Sequence, residues 1–95
     1  MSVTSENCAI GLKVRRGKDW KWDTQDHVDG KEGIGTITRC NEDENGNVVK
    51  WAKVLWDGGI CQIYRIGAGG YFDLFTWGMY LKPYVKSKYN CILYV

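Results

Sequence analysis

The stretch VVKWAKVLWDGGICQIYR, residues 48–65, does most to narrow what this chain can become. Residues 48–56 form the longest strand candidate. Ala52, Val54 and Trp56 fall on one side of it, because side chains alternate along an extended backbone. Trp51 and Lys53 then face out or cover an open edge. Asp57-Gly58-Gly59 makes a tight turn, and Ile60–Arg65 returns as the antiparallel partner. A chain built around such a hairpin needs further strands to bury its apolar face, since an isolated two-stranded hairpin is marginal in water.

Those strands are legible upstream and downstream. NEDENGN, residues 41–47, is a polar turn whose Asn45-Gly46 pair is a strong hairpin signal. GTITRC (35–40) precedes it as a short β-rich run. Ile10, Leu12 and Val14 alternate with polar residues and predict a strand that Gly17 ends. Residues 17–33 are polar, punctuated by glycine and without helical periodicity. They read as a long irregular loop, a kind of segment often functional in a compact domain. IGAGGYFDLF (66–75) opens on glycines and turns apolar. Short strands separated by turn signals predict an all-β fold, a small barrel or a sandwich of antiparallel strands. Leu12, Val14, Ile37, Val54, Ile63 and Leu74 are the expected core.

A chain of 95 residues is one domain, and so short a chain needs a dense core. Five Trp, six Tyr and two Phe can supply it. The boundaries drawn are an N-terminal extension at 1–9, a body at 10–75 and a C-terminal extension at 76–95. The last is basic and aromatic, with Trp77, Tyr80, Tyr84, Tyr89 and Tyr94. It is expected to pack on the body or on a second copy of the chain, which would make a homodimer. The body is near neutral, which argues against a nucleic-acid footprint. Cys8, Cys40, Cys61 and Cys91 contain no CxxC pair, and His27 is the single histidine. A zinc site is therefore not expected. With no signal-peptide pattern and no membrane-spanning run, the chain reads as intracellular, most simply cytoplasmic, with reduced thiols.

Catalytic constellations are missing. A nucleophile–base pair would have to use His27, no GxSxG surrounds a serine, and GIGTIT and GAGGYF do not match a phosphate-binding loop. The expectation is a non-enzymatic domain with no cofactor.

Four blocks occur in order: GLKVRRGKDWKWDTQD (11–26), GIGTI (33–37), VLWDGG (54–59) and YRIGAGGYFDL (64–74). Together they closely resemble the Mind bomb/HERC-type domain of large ubiquitin ligases. The chain departs from that pattern at Lys18, where proline is frequent, and at His27-Val28, where a glycine pair is usual. The resemblance implies an SH3-like barrel that binds peptides and is not itself catalytic. It also implies a part in protein ubiquitination, with ubiquitin transfer done by a separate RING or HECT domain. The implied partner is a protein or peptide, such as the cytoplasmic tail of a ubiquitination substrate, rather than nucleic acid or membrane.

The expected peptide-binding residues are Trp20, Trp22, Gln25, Asp26, Tyr64, Arg65 and Tyr71. Trp20 and Trp22 can share a face of an extended segment, and tryptophan is enriched at interaction hot spots. Trp20 is expected to lean toward anchoring and Trp22 toward contact. Gln25 and Asp26 either cap turn amides or meet a peptide backbone. Tyr64 and Tyr71 flank the glycine-rich turn, with Tyr64 lining a groove or packing in the hairpin. Arg16 and Arg65 are expected to pair with Asp19, Asp57 or Asp73, either to tie the long loop to the body or to clamp a ligand. Two other readings remain: an SH3-like barrel that binds nucleic acid, and a homodimerisation module.

Overall fold

The computed structural model describes residues 1–43 and 45–78. The expected packing of the aromatic tail therefore lies outside the described residues, apart from its first three positions. Among the described residues seven strands follow in chain order: β1 (Lys13–Arg16), β2 (His27–Val28), β3 (Lys31–Glu32), β4 (Gly35–Glu42), β5 (Val48–Trp56), β6 (Cys61–Arg65) and β7 (Leu74–Thr76). A single 3-10 turn, Ala68–Gly70, lies between β6 and β7. The fold is all-β, as the alternation predicts.

Five strands form one antiparallel sheet in the order β6-β5-β4-β1-β7. The β4–β5 hairpin is its spine. Ile37 faces Val54 and Gly35 faces Trp56 across it, and all four are buried. Gly35 is required there, since a Cβ would overlap the Val54 side chain and the Trp56 ring. At the hairpin tip, Gly46 takes φ 80° and Asp43 accepts from the backbone N–H groups of Asn45 and Asn47. On β5 the expected inward set, Ala52, Val54 and Trp56, is at most 1% exposed.

The two ends of the sheet are joined by the chain between them. After β6, Ile66 bridges to Phe72, and Asp73 N–H donates to the Arg65 carbonyl. The long loop is mostly turns, but it contains the small β2–β3 hairpin, with His27 opposite Glu32. It is held down at Gly17, whose N–H donates to the Asp73 carbonyl. A side chain at Gly17 would strike the backbone of Asp73 and Leu74, so only glycine permits this approach.

Three expectations are corrected. Ile10 is 74% exposed and precedes the sheet. A turn in which Leu12 N–H donates to the Ala9 carbonyl, with Gly11 at φ 93°, delays β1 to Lys13. Ile63 is 54% exposed, because pairing Ala52 with Tyr64 turns Tyr64 inward and leaves Ile63 beside Lys53 on the outer face. Cys8 and Cys40 are not reduced thiols but form a disulfide, with Cα atoms 6.0 Å apart. Cys61 is free and exposed.

The disulfide fastens a segment that belongs to the packed body. Val3 is fully buried in the core, its N–H donates to the Leu74 carbonyl, and Ser2 bridges to Phe75. Asn41 adds a second tie by donating its side-chain amide to the Ser5 carbonyl. Closing so long a loop restricts the unfolded chain, so replacing both cysteines (Cys8→Ser with Cys40→Ser) is expected to lower stability by about 2–4 kcal/mol. Urea unfolding with and without reductant checks this. The parent should shift on reduction, and the double variant should not.

Candidate functional site

Two arginine–aspartate clamps organise the long loop and the segment after β6. Arg16, at the end of β1, holds Asp26 through Nε–Oδ2 at 2.8 Å and Nη2–Oδ1 at 2.7 Å. Arg65, at the end of β6, holds Asp73 with the same fork geometry, at 2.8 and 2.7 Å. Both carboxylates are fully buried. Burying a carboxylate without a partner is very costly, and a planar guanidinium offers two parallel donors that match it. Each carboxylate in turn raises the proton affinity of its guanidinium, chiefly through these hydrogen bonds and against the opposing effect of burial.

Further bonds spread from these clamps. Asp73 Oδ2 also accepts from Arg65 N–H at 2.9 Å and from Trp22 Nε1 at 3.0 Å. Arg65 Nη2 reaches the Asp19 carbonyl, while Asp19 Oδ2 accepts from Phe72 N–H at 2.7 Å. Arg16 Nη2 and Trp20 Nε1 both donate to the Asp23 carbonyl. That residue sits at φ 51°, a conformation aspartate tolerates better than most side chains.

The aromatic rings stack on this frame in two layers. Trp20 lies on Tyr64 with centroids 5.1 Å apart and meets Trp56 edge-on at 5.6 Å, and the Arg16 guanidinium covers its other side at 5.3 Å. Tyr64 is fully buried; its hydroxyl accepts from Trp56 Nε1 and donates to Gln25 Oε1, each at 2.8 Å. The second layer is nearer to solvent. The Arg65 guanidinium lies 5.5 Å from the Trp22 ring and 4.3 Å from the Tyr71 ring, and Lys21 lies 5.1 Å from the Trp22 ring. Tyr71 is half exposed.

The seven residues singled out from the sequence are thus gathered in one region but do different things. Asp26 and Tyr64 are inside and have every close partner within the chain, so neither offers a surface. Trp20 is half-buried and packs on Tyr64 and Trp56. Trp22 is half-buried and its N–H is already given to Asp73. Gln25 holds Tyr64 through Oε1, while its Nε2 makes no hydrogen bond to a described residue. Arg65 is only 9% exposed, and Tyr71 is the open member. Arg16 takes Asp26 rather than Asp19, and Asp57 is exposed and outside both clamps. The pairing rule missed in the sequence is that each arginine takes the aspartate of its own block, Arg16…Asp26 and Arg65…Asp73.

Burial pushes the Tyr64 hydroxyl above its ordinary pKa of 10.0, opposed by the Trp56 bond and reinforced by Asp26, Asp73 and Cys61. The fold therefore favours the protonated phenol. Its contribution to stability is full below about pH 10 and is lost as pH rises through the folded value. Tyr64→Phe is expected to flatten the stability profile above about pH 10, as read by unfolding at each pH. Asp73→Asn, which leaves Arg65 buried without its countercharge, should cost about 3–5 kcal/mol. Tyr71→Ala should cost under about 1 kcal/mol in the same urea titration.

Residues 11–77 match the family model Mib_herc2. The chain is 47% identical over 62 residues to the E3 ubiquitin-protein ligase hecd-1 of Caenorhabditis elegans. It is 39% identical over 72 residues to the E3 ubiquitin-protein ligase MIB2 of Gallus gallus, and 44% identical over 69 residues to the E3 ubiquitin-protein ligase Ufd4 of Drosophila melanogaster. These matches cover 65%, 76% and 73% of this chain. They cover only 2%, 7% and 2% of those much longer proteins.

Proposed function

Because the chain belongs to the Mib_herc2 family, a domain of ubiquitin ligases, we propose that it is a non-catalytic recognition module that binds an extended peptide of a ubiquitination substrate. The observation that carries this reading is the Trp22–Arg65–Tyr71 stack, an aromatic surface at the solvent boundary fixed from beneath by a buried carboxylate. A side chain already ordered loses little freedom on binding, so its contact area is converted to affinity efficiently. Tyr71 supplies the open ring, Trp22 and Arg65 the wall behind it, and Gln25 Nε2 a donor for a peptide carbonyl. Trp20, Asp26 and Tyr64 act by holding these groups in place. Ubiquitin transfer belongs, in this reading, to another part of a ligase. No helix among the described residues is long and apolar enough to cross a membrane, and an intracellular setting is proposed with the ligase context.

The test is a peptide-array screen with the whole chain, followed by titration of the strongest hit. Tyr71→Ala is expected to weaken that hit roughly thirtyfold or more, the loss of an interface hot spot, with urea unfolding little changed. Amide shifts should centre on Trp22, Arg65 and Tyr71. Undiminished binding by the variant, or shifts centred elsewhere, would defeat the assignment. A nucleic-acid reading would require affinity that falls steeply with salt.

A further inference from the structure

The outer face of the sheet holds a second surface lined by none of the residues of the aromatic stack. Arg39 on β4 is the Cα partner of Lys53 on β5, and Lys53 is the partner of Ile63 on β6. These three line one groove of about 300 Å³ with Glu42, Asp43 and Asn45. Two cations directly opposite on neighbouring strands repel, and such a pair destabilises a sheet by itself. Among the described residues neither cation is in an ion pair. Arg39 reaches only the Asp43 carbonyl, at 3.4 Å.

The acids at the rim relieve the pair only in part: Asp43 feels the charge of Arg39 but forms no ion pair with it. Asp43 spends its carboxylate on the backbone N–H groups of Asn45 and Asn47 and on the Asn47 side-chain amide. Those hydrogen bonds hold it below the usual carboxylate range. Glu42 is exposed and outside ion-pairing distance of both cations. At the other end of the row Ile63 is 54% exposed, on an outer strand whose residues Cys61–Ile63 all face solvent.

We propose that this groove docks an acidic peptide segment, with one carboxylate side chain seated between Arg39 and Lys53 and a flanking aliphatic side chain on Ile63. A carboxylate there turns a repulsive pair into two charge-assisted contacts, and the exposed isoleucine selects an apolar neighbour. The site is separate from the Tyr71 surface and does not depend on it.

The probe is a fluorescent peptide of alternating Glu and Val, with alternating Lys and Val as its counterpart, titrated into the whole chain. The Glu–Val peptide should bind, move the amides of Arg39, Lys53 and Ile63, and weaken roughly tenfold or more on replacing both cations (Arg39→Ser with Lys53→Ser). Because the pair is repulsive, that variant should melt no lower than the parent, which separates binding from structural damage. Tyr71→Ala should bind the probe like the parent. The proposal is overturned if the double variant binds as tightly, if the Lys–Val peptide binds equally well, or if the shifts centre on Trp22 and Tyr71.

Discussion

Two buried carboxylates govern this molecule. Asp26 and Asp73 lie where no water reaches them, and each is tolerable only inside the fork of an arginine. The arginines stand at the ends of β1 and β6, and the aspartates stand in the connecting segments. Satisfying the charge therefore dictates where otherwise irregular chain must lie. The polar loop after β1 has few apolar residues to hold it against the sheet. What fixes it is the buried Asp26–Arg16 clamp together with Trp20 and Trp22, which pack against the core.

That constraint explains why aromatic residues can sit amid charge. In RGKDWKWDTQD the tryptophans pack flat or edge-on against Tyr64. Neighbouring polar groups are engaged locally: the Asp19 carboxylate by the Phe72 amide, the Asp26 carboxylate by Arg16, and the Asp23 backbone carbonyl by Arg16 and Trp20. The charged residues form the hydrogen-bonded casing of an aromatic layer that continues the core. Trp56, Tyr64 and Gln25 carry the same chain of donors and acceptors from the sheet interior out to the loop.

Much of this was legible in the residues. Strict alternation in β5 set its inward face, and Asn45-Gly46 and Asp57-Gly58-Gly59 marked the two turns beside it. Ile63 was misread because its hydrophobicity was weighed before its phase: with Ala52 inward and Tyr64 opposite, Ile63 must point out. Ile10 was misread because nothing in ENCAIGL separates a strand from a turn until Gly11 is known to take a positive φ. The Cys8–Cys40 bridge joins residues 32 apart, a spacing that carries no geometric information. The clamps were half legible. Arginine and aspartate were expected to pair, but which aspartate answers Arg16 depends on how the loop folds back, and of the three in RGKDWKWDTQD it is the one furthest along the chain.

The same clamps bear on what the exposed surface can discriminate. Arg65 faces Trp22 and Tyr71, and its Nε and Nη2 donors are taken by Asp73 and Asp19. Its charge is balanced at 2.7 Å by a carboxylate that water cannot reach. What is open at the surface is the Tyr71 ring lying on that neutralised guanidinium, which favours contact area and stacking over opposite charge. Arg39 and Lys53 are the reverse case, since neither is in an ion pair among the described residues and both line a groove with the exposed Ile63. An aromatic surface over a neutralised guanidinium and a groove with two cations outside any ion pair thus coexist on one small domain. They differ because one pair of arginines was given buried partners and the cross-strand cations were not.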